Sequence, residues 1–118
     1  MTKPLALIIE DDPQLSQIFS LALAGLFETD IALDGQTALT RLAETTPNVV
    51  ILDLNLPEVS GEQILTYIRE TPRLAKISVI IATADARQAD YLQDSAEIVL
   101  IKPVSPVQLR ELAVRLQA

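Results

Sequence analysis

Five side chains in this sequence have the types and the placement to handle phosphate: Glu10, Asp11, Asp53, Thr83 and Lys102. Each stands where an apolar run ends. Leu5 to Ile9 runs into Glu10-Asp11-Asp12, Val49 to Leu52 into Asp53, Val79 to Ala82 into Thr83, and Ile98 to Ile101 into Lys102-Pro103. If these runs are parallel strands, their carboxyl ends share one edge of a sheet. Three acids, a hydroxyl and an ammonium then converge, the makings of a metal-assisted phosphate site. Each residue alone also has a plainer reading. Glu10, Asp11 and Asp53 could be turn acids, Thr83 the start of a helix, and Lys102 a solvated charge. Asp12 before Pro13, and Asp85, read as helix caps. The joint placement at strand ends is what favours the site.

The elements that must position these groups follow from pattern. Val49-Val50-Ile51-Leu52 is an unbroken apolar run, as expected of a strand buried on both faces. Asp12-Pro13 opens a helix whose apolar positions Leu15, Ile18, Phe19, Ala22, Leu23 and Leu26 mark one buried face, with Gly25 near its end. Thr29 to Leu33 is weakly apolar and reads as an edge strand. Asp34-Gly35 opens a helix carrying Ala38, Leu39, Leu42 and Ala43, which Thr46-Pro47-Asn48 ends. Ser60-Gly61-Glu62-Gln63 has the spacing of a capping box before Ile64, Leu65 and Ile68. Pro72 breaks that helix, and a strand covers about Ile77 to Ala82. Asp85 to Ser95 reads as a helix with a thin apolar face of Ala86, Ala89 and Leu92, the loosest element expected. After the strand at Ile98 to Ile101, Ser105-Pro106-Val107-Gln108 repeats the capping-box pattern before Leu109, Leu112, Ala113 and Leu116.

Strands joined by helix-length crossovers give an α/β, doubly wound parallel sheet covered on both faces. With the weak second strand at an edge, the expected order is 2-1-3-4-5 with five flanking helices. Asp11 and Asp53 then flank the switch point, where ligands settle in such sheets.

Composition narrows the chemistry. At 118 residues the chain suits one domain, residues 1–118, able to bury roughly two-thirds of its surface. It has no cysteine and no histidine, so disulfides, thiolate chemistry and the usual zinc ligands are excluded. Its 16 acidic and 9 basic residues leave a net charge of −7, a poor footprint for nucleic acid. The start Met-Thr-Lys-Pro lacks a signal-peptide core, and no apolar run approaches the ~20 residues of a membrane span. A cytoplasmic protein with no membrane contact is expected.

Over its whole length the arrangement resembles the receiver domain of two-component response regulators, a flavodoxin-like fold. Glu10-Asp11, Asp53 followed by Pro57 and Gly61, Thr83-Ala84 and Lys102-Pro103 carry the resemblance. It implies a magnesium site with Asp11, Asp53 and the Asn55 carbonyl as ligands and Glu10 acting through a water. It implies Asp53 as the nucleophile that receives a phosphoryl group from a histidine kinase or histidine phosphotransfer protein, assisted by Lys102 and Thr83. A cis Lys102-Pro103 peptide is also implied. Asn55 and Asp85 lie where the family tunes hydrolysis of the acyl phosphate.

The implied function is phosphorelay signalling, by a switching domain that catalyses its own phosphorylation and slow dephosphorylation and is not an enzyme in the usual sense. Its output face comprises the Asp85 to Ser95 helix, the fifth strand and the last helix, directed at an unidentified output protein or a second copy of the chain. Two features depart from the family. Val99 stands where a switching aromatic is usual, and the Thr83 to Lys102 segment is short and lacks the usual glycine. Two competing readings are a receiver-like scaffold that binds partners without phosphorylation and an aspartyl-phosphate phosphatase of the haloacid dehalogenase type. Against the latter, Asp53-Leu54-Asn55 lacks the second aspartate, and no cap domain is present.

Overall fold

Each strand is followed by a helix whose first turn is capped by an Asp or Ser side chain: Asp12, Asp34, Ser60, Asp85 and Ser105. In the computed structural model, which describes residues 3–117, ten elements alternate along the chain. They are β1 (Leu5–Ile9), α1 (Pro13–Leu23), β2 (Glu28–Ala32), α2 (Gly35–Glu44), β3 (Val49–Asp53), α3 (Gly61–Glu70), β4 (Ser78–Thr83), α4 (Ala86–Tyr91), β5 (Ile98–Ile101) and α5 (Pro106–Leu116). Met1 and Thr2, half of the start read for a signal peptide, and Ala118 lie outside the described residues. No helix among those described is long and apolar enough to cross a membrane.

All strand pairs are parallel, in the order β2-β1-β3-β4-β5 expected from the pattern. Alternation along each strand sorts the core into two layers. Leu7, Ile9, Val50, Leu52, Val79 and Ile81 face the side covered by α2, α3 and α4. Ala6, Ile8, Val49, Ile51 and Ile80 face the side that holds Phe19 and Leu23 of α1 with Leu109 and Ala113 of α5. Full burial of each such aliphatic side chain stabilises the fold by about 1.5–3 kcal/mol before chain entropy is counted. Residues 49–52 of β3 are at most 1% exposed, as a strand covered on both faces requires.

Four local expectations need correction. On α1, Ile18 is 44% and Leu26 41% exposed, while Ser16 is buried. The helix ends at Leu23 and Gly25 adopts φ +92°, so Leu26 lies past the helix. On α2, Leu42 is buried but Ala43 is exposed. The helix expected from Asp85 to Ser95 is only Ala86–Tyr91, with Ala86 exposed and Ala89 and Leu92 buried. The caps divide in the same way. Ser60 and Gln63 form both bonds of a capping box, whereas Ser105 accepts from Gln108 N (3.2 Å) without a return bond from the glutamine side chain.

Candidate functional site

Two acids of the site, Glu10 and Asp53, are held by backbone N–H groups of the turns they begin. The strand direction of β1 is continued by Glu10, whose N–H donates to Ala32 O at 3.1 Å. Its side chain is buried at 2% exposure. Asp12 then caps α1 by accepting from Gln14 N (2.9 Å) and Leu15 N (3.3 Å), while its own N–H donates to Glu10 Oε2 (3.2 Å). Asp12 is therefore committed to the helix, and Asp11 is left exposed at the rim. Asp53 is the last residue of β3, 4% exposed, and its Oδ1 accepts from Asn55 N at 3.2 Å.

The loop after Asp53 can turn this tightly because residue 61 has no side chain. A Cβ there would lie 2.3 Å from Asp53 O and 2.6 Å from Leu54 Cα. Gly61 N donates to Leu54 O (3.1 Å), which brings the start of α3 against the end of β3. Glu58 completes the loop at φ +65°, a left-handed conformation unusual for a residue with a Cβ.

From the other side come a hydroxyl and an ammonium. Thr83 ends β4 fully buried, and Asp85 N donates to its Oγ1 at 3.1 Å, which leaves the hydroxyl hydrogen to be donated. The sheet register sets Asp53 beside Ala82, one residue short of Thr83. Lys102 N donates to Thr83 O (2.8 Å), and the Lys102-Pro103 peptide is cis, as the resemblance implies. The Lys102 ammonium donates to Glu10 Oε1 at 2.7 Å and lies 3.6 Å from Asp53 Oδ1.

Glu10, Asp11 and Asp53 each offer a carboxylate oxygen, and these atoms lie within 4.8 Å of one another. Crowded acids with all-oxygen donors match the preference of a hard divalent cation such as magnesium. The electrostatics show the crowding. Burial, aided by the Asp53 charge, pushes the Glu10 carboxyl up to about 7, although hydrogen bonds from Lys102 and from Asp12 N pull it down. Burial alone would lower the Lys102 pKa. The hydrogen bond to Glu10 and the charges of Asp53 and Glu10 outweigh it, so the ammonium titrates above its ordinary value.

Glu10, Asp11, Asp53 and Lys102 are thus gathered, with Thr83 at the adjacent strand end. Asn55 is exposed two residues beyond Asp53. Two contributors escape a reading by motif. The direct Glu10–Lys102 ion pair joins residues 92 apart, which no local pattern reveals. Gly61 belongs to the motif that carries the resemblance, but the steric reason for it, a backbone approach within 2.3 Å of where a Cβ would stand, is not visible in the motif. Val99 is partly buried against the layer that holds Ile81 and Leu92.

Comparison with known proteins gives a consistent result. Residues 6–114 match the profile of the response regulator receiver domain. The chain is 31% identical over 116 residues to the DNA-binding response regulator MtrA of Mycolicibacterium smegmatis, covering 95% of this chain and 48% of that protein. It is 29% identical over 111 residues to the sensor histidine kinase TmoS of Ectopseudomonas mendocina, covering 92% of this chain and 11% of the kinase. The BeF3-activated receiver domain of DrrB, a Thermotoga maritima protein, is similar with a TM-score of 0.88 at 26% identity, over 98% of each chain. The chain therefore spans about half the length of MtrA and a small part of the kinase.

Proposed function

The chain belongs to the response regulator receiver domain family, and on that footing we propose that it is a phosphoacceptor switch with Asp53 as the accepting residue. The donor in this reading is the phosphohistidine of a histidine kinase or histidine phosphotransfer protein. A carboxylate oxygen of Asp53 forms the new O–P bond as the N–P bond of the donor breaks, and the imidazole nitrogen keeps the bonding pair. Later attack by water on the acyl phosphate returns the carboxylate and inorganic phosphate; in this reading Asn55 and Asp85, two residues beyond Asp53 and Thr83, tune that rate, Asp85 while also capping α4 through its Oδ1.

Asp11, Asp53 and the Asn55 carbonyl would hold magnesium, with Glu10 acting through a water. When bound, the ion neutralises charge on the transferring group. Lys102 stands 3.6 Å from Asp53 and needs only to exchange part of its bond with Glu10 to reach a phosphoryl oxygen. Thr83 has a hydroxyl hydrogen to donate to another. The observation that carries the reading is the ammonium bridging Glu10 and Asp53 beside a third acid at the β1/β3 switch point.

The output surface is proposed to be the face of α4, β5 and α5, engaging an output protein or a second copy of this chain. An excess of 16 acidic over 9 basic residues argues that these residues themselves touch neither nucleic acid nor membrane. A cytoplasmic location is part of the same proposal. DNA binding is stated of MtrA, whose length is about twice that matched here.

Incubation with acetyl phosphate and magnesium is expected to add the mass of one phosphoryl group, and Asp53→Asn to abolish the addition. Labelling that persists in the variant would reject Asp53 as acceptor. A phosphorylation-independent scaffold is the second reading, favoured by Val99 in place of an aromatic. It predicts no magnesium binding in a calorimetric titration.

A further inference from the structure

We propose that α4 is docked under strain from a stranded side-chain oxygen on Gln88, and that its displacement is bounded by a clasp made of Arg69 and Glu97. Gln88 Oε1 is sealed from solvent with no hydrogen-bond partner, alone in this among the buried side-chain nitrogen and oxygen atoms of the described residues. A buried acceptor without a donor forfeits the water it left behind, so the docked position of α4 is disfavoured relative to one that wets Gln88. Little opposes that release. The helix has six residues, and only Ala89 and the capping Leu92 reach the core.

The two ends of the segment are held very differently. At its start Asp85 N donates to Thr83 Oγ1 (3.1 Å), so α4 begins on a residue of the phosphate site. Beyond its end, Arg69 commits all five of its N–H groups. Nε donates to Ser95 O (3.1 Å), Nη1 to Ala75 O (3.1 Å) and Ile77 O (2.9 Å), and Nη2 to both Glu97 oxygens (3.0 Å each). Glu97 Oε1 also accepts from Val79 N at 2.7 Å. Ser95 and Glu97 are thereby tied to α3 and β4. Movement that starts at Thr83 passes through a weakly docked helix and halts at Ser95. With Val99 in β5, no bulky ring is there to carry it further.

The trigger rests on the phosphoacceptor reading, but the strain at Gln88 does not, so the two are tested separately. Hydrogen exchange and thermal melting of the 118-residue chain with magnesium and no donor test the strain. Gln88→Met keeps the volume and removes the stranded oxygen. It is expected to raise the melting temperature and slow exchange at residues 88–92 by about tenfold. A variant that melts lower, or exchanges in this segment as the wild type does, overturns the proposal. Adding beryllofluoride tests the bound. Faster exchange is expected to stop before Ser95 in the wild type and to spread into β5 in Glu97→Ala. Wild-type changes that already extend through β5 overturn the clasp. Failure to add a phosphoryl mass from acetyl phosphate would reject the phosphoacceptor reading and leave the donor-free comparison to decide the strain.

Discussion

Glu10 serves two neighbours that pull its proton affinity in opposite directions: a dry strand end that favours the neutral acid and an ammonium that favours the carboxylate. Burial wins, and the carboxyl titrates near 7 in the folded protein against 4.5 ordinarily. The folded state therefore holds this proton more tightly than the unfolded chain. The stability linked to it is present below about pH 4.5 and is lost as pH rises through about 7. In metal-free buffer the melting temperature of wild type relative to Glu10→Gln should fall across that window, and a flat difference would contradict the assignment. Gly61 offers a steric test at the same scale. Gly61→Ala places a Cβ 2.3 Å from Asp53 O, so the backbone at Asp53 must shift. A loss of about 1–3 kcal/mol in urea melts is expected, with slower phosphoryl uptake.

Elements differ in how openly the sequence announces them. The capping box of Ser60 and Gln63 is local, uses residues three apart, and was readable in full. Ser60→Ala should remove about 1 kcal/mol of stability in urea melts without changing the transition slope. Strand order was readable for a related reason, since a parallel sheet with short right-handed crossovers admits few arrangements. The helix faces were less legible. Ile18 and Leu26 fit a helical period, yet Ile18 stands exposed on α1 and the helix stops before Gly25. The extent of α4 was overread because Asp85 to Ser95 contains helix formers but only two residues that pack. At the site, the identity of every strand-end residue was visible. The Glu10–Lys102 contact and the tight approach at Gly61 were not, because both are tertiary distances between segments far apart or folded back on themselves.

For the molecule as a whole, the crowding of like charge predicts that a bound cation stabilises the fold. Three acids share one edge of a chain of net charge −7, and among the described residues only Lys102 pairs with them. An ion that binds only the folded state raises the melting temperature with its concentration. Millimolar magnesium should therefore raise it, removal with chelator should reverse the rise, and Asp11→Asn should blunt it. Equal melting with and without magnesium would count against a cation site. The pairing of Glu10 with Lys102 has a further consequence for biosynthesis. Lys102 leaves the ribosome 92 residues after Glu10, so a nascent chain carries these acids long before their counter-charge exists. A chain cut short of Lys102 would keep the three acids without the ammonium that pairs with Glu10 and Asp53, and on the proposed reading it should accept no phosphoryl group.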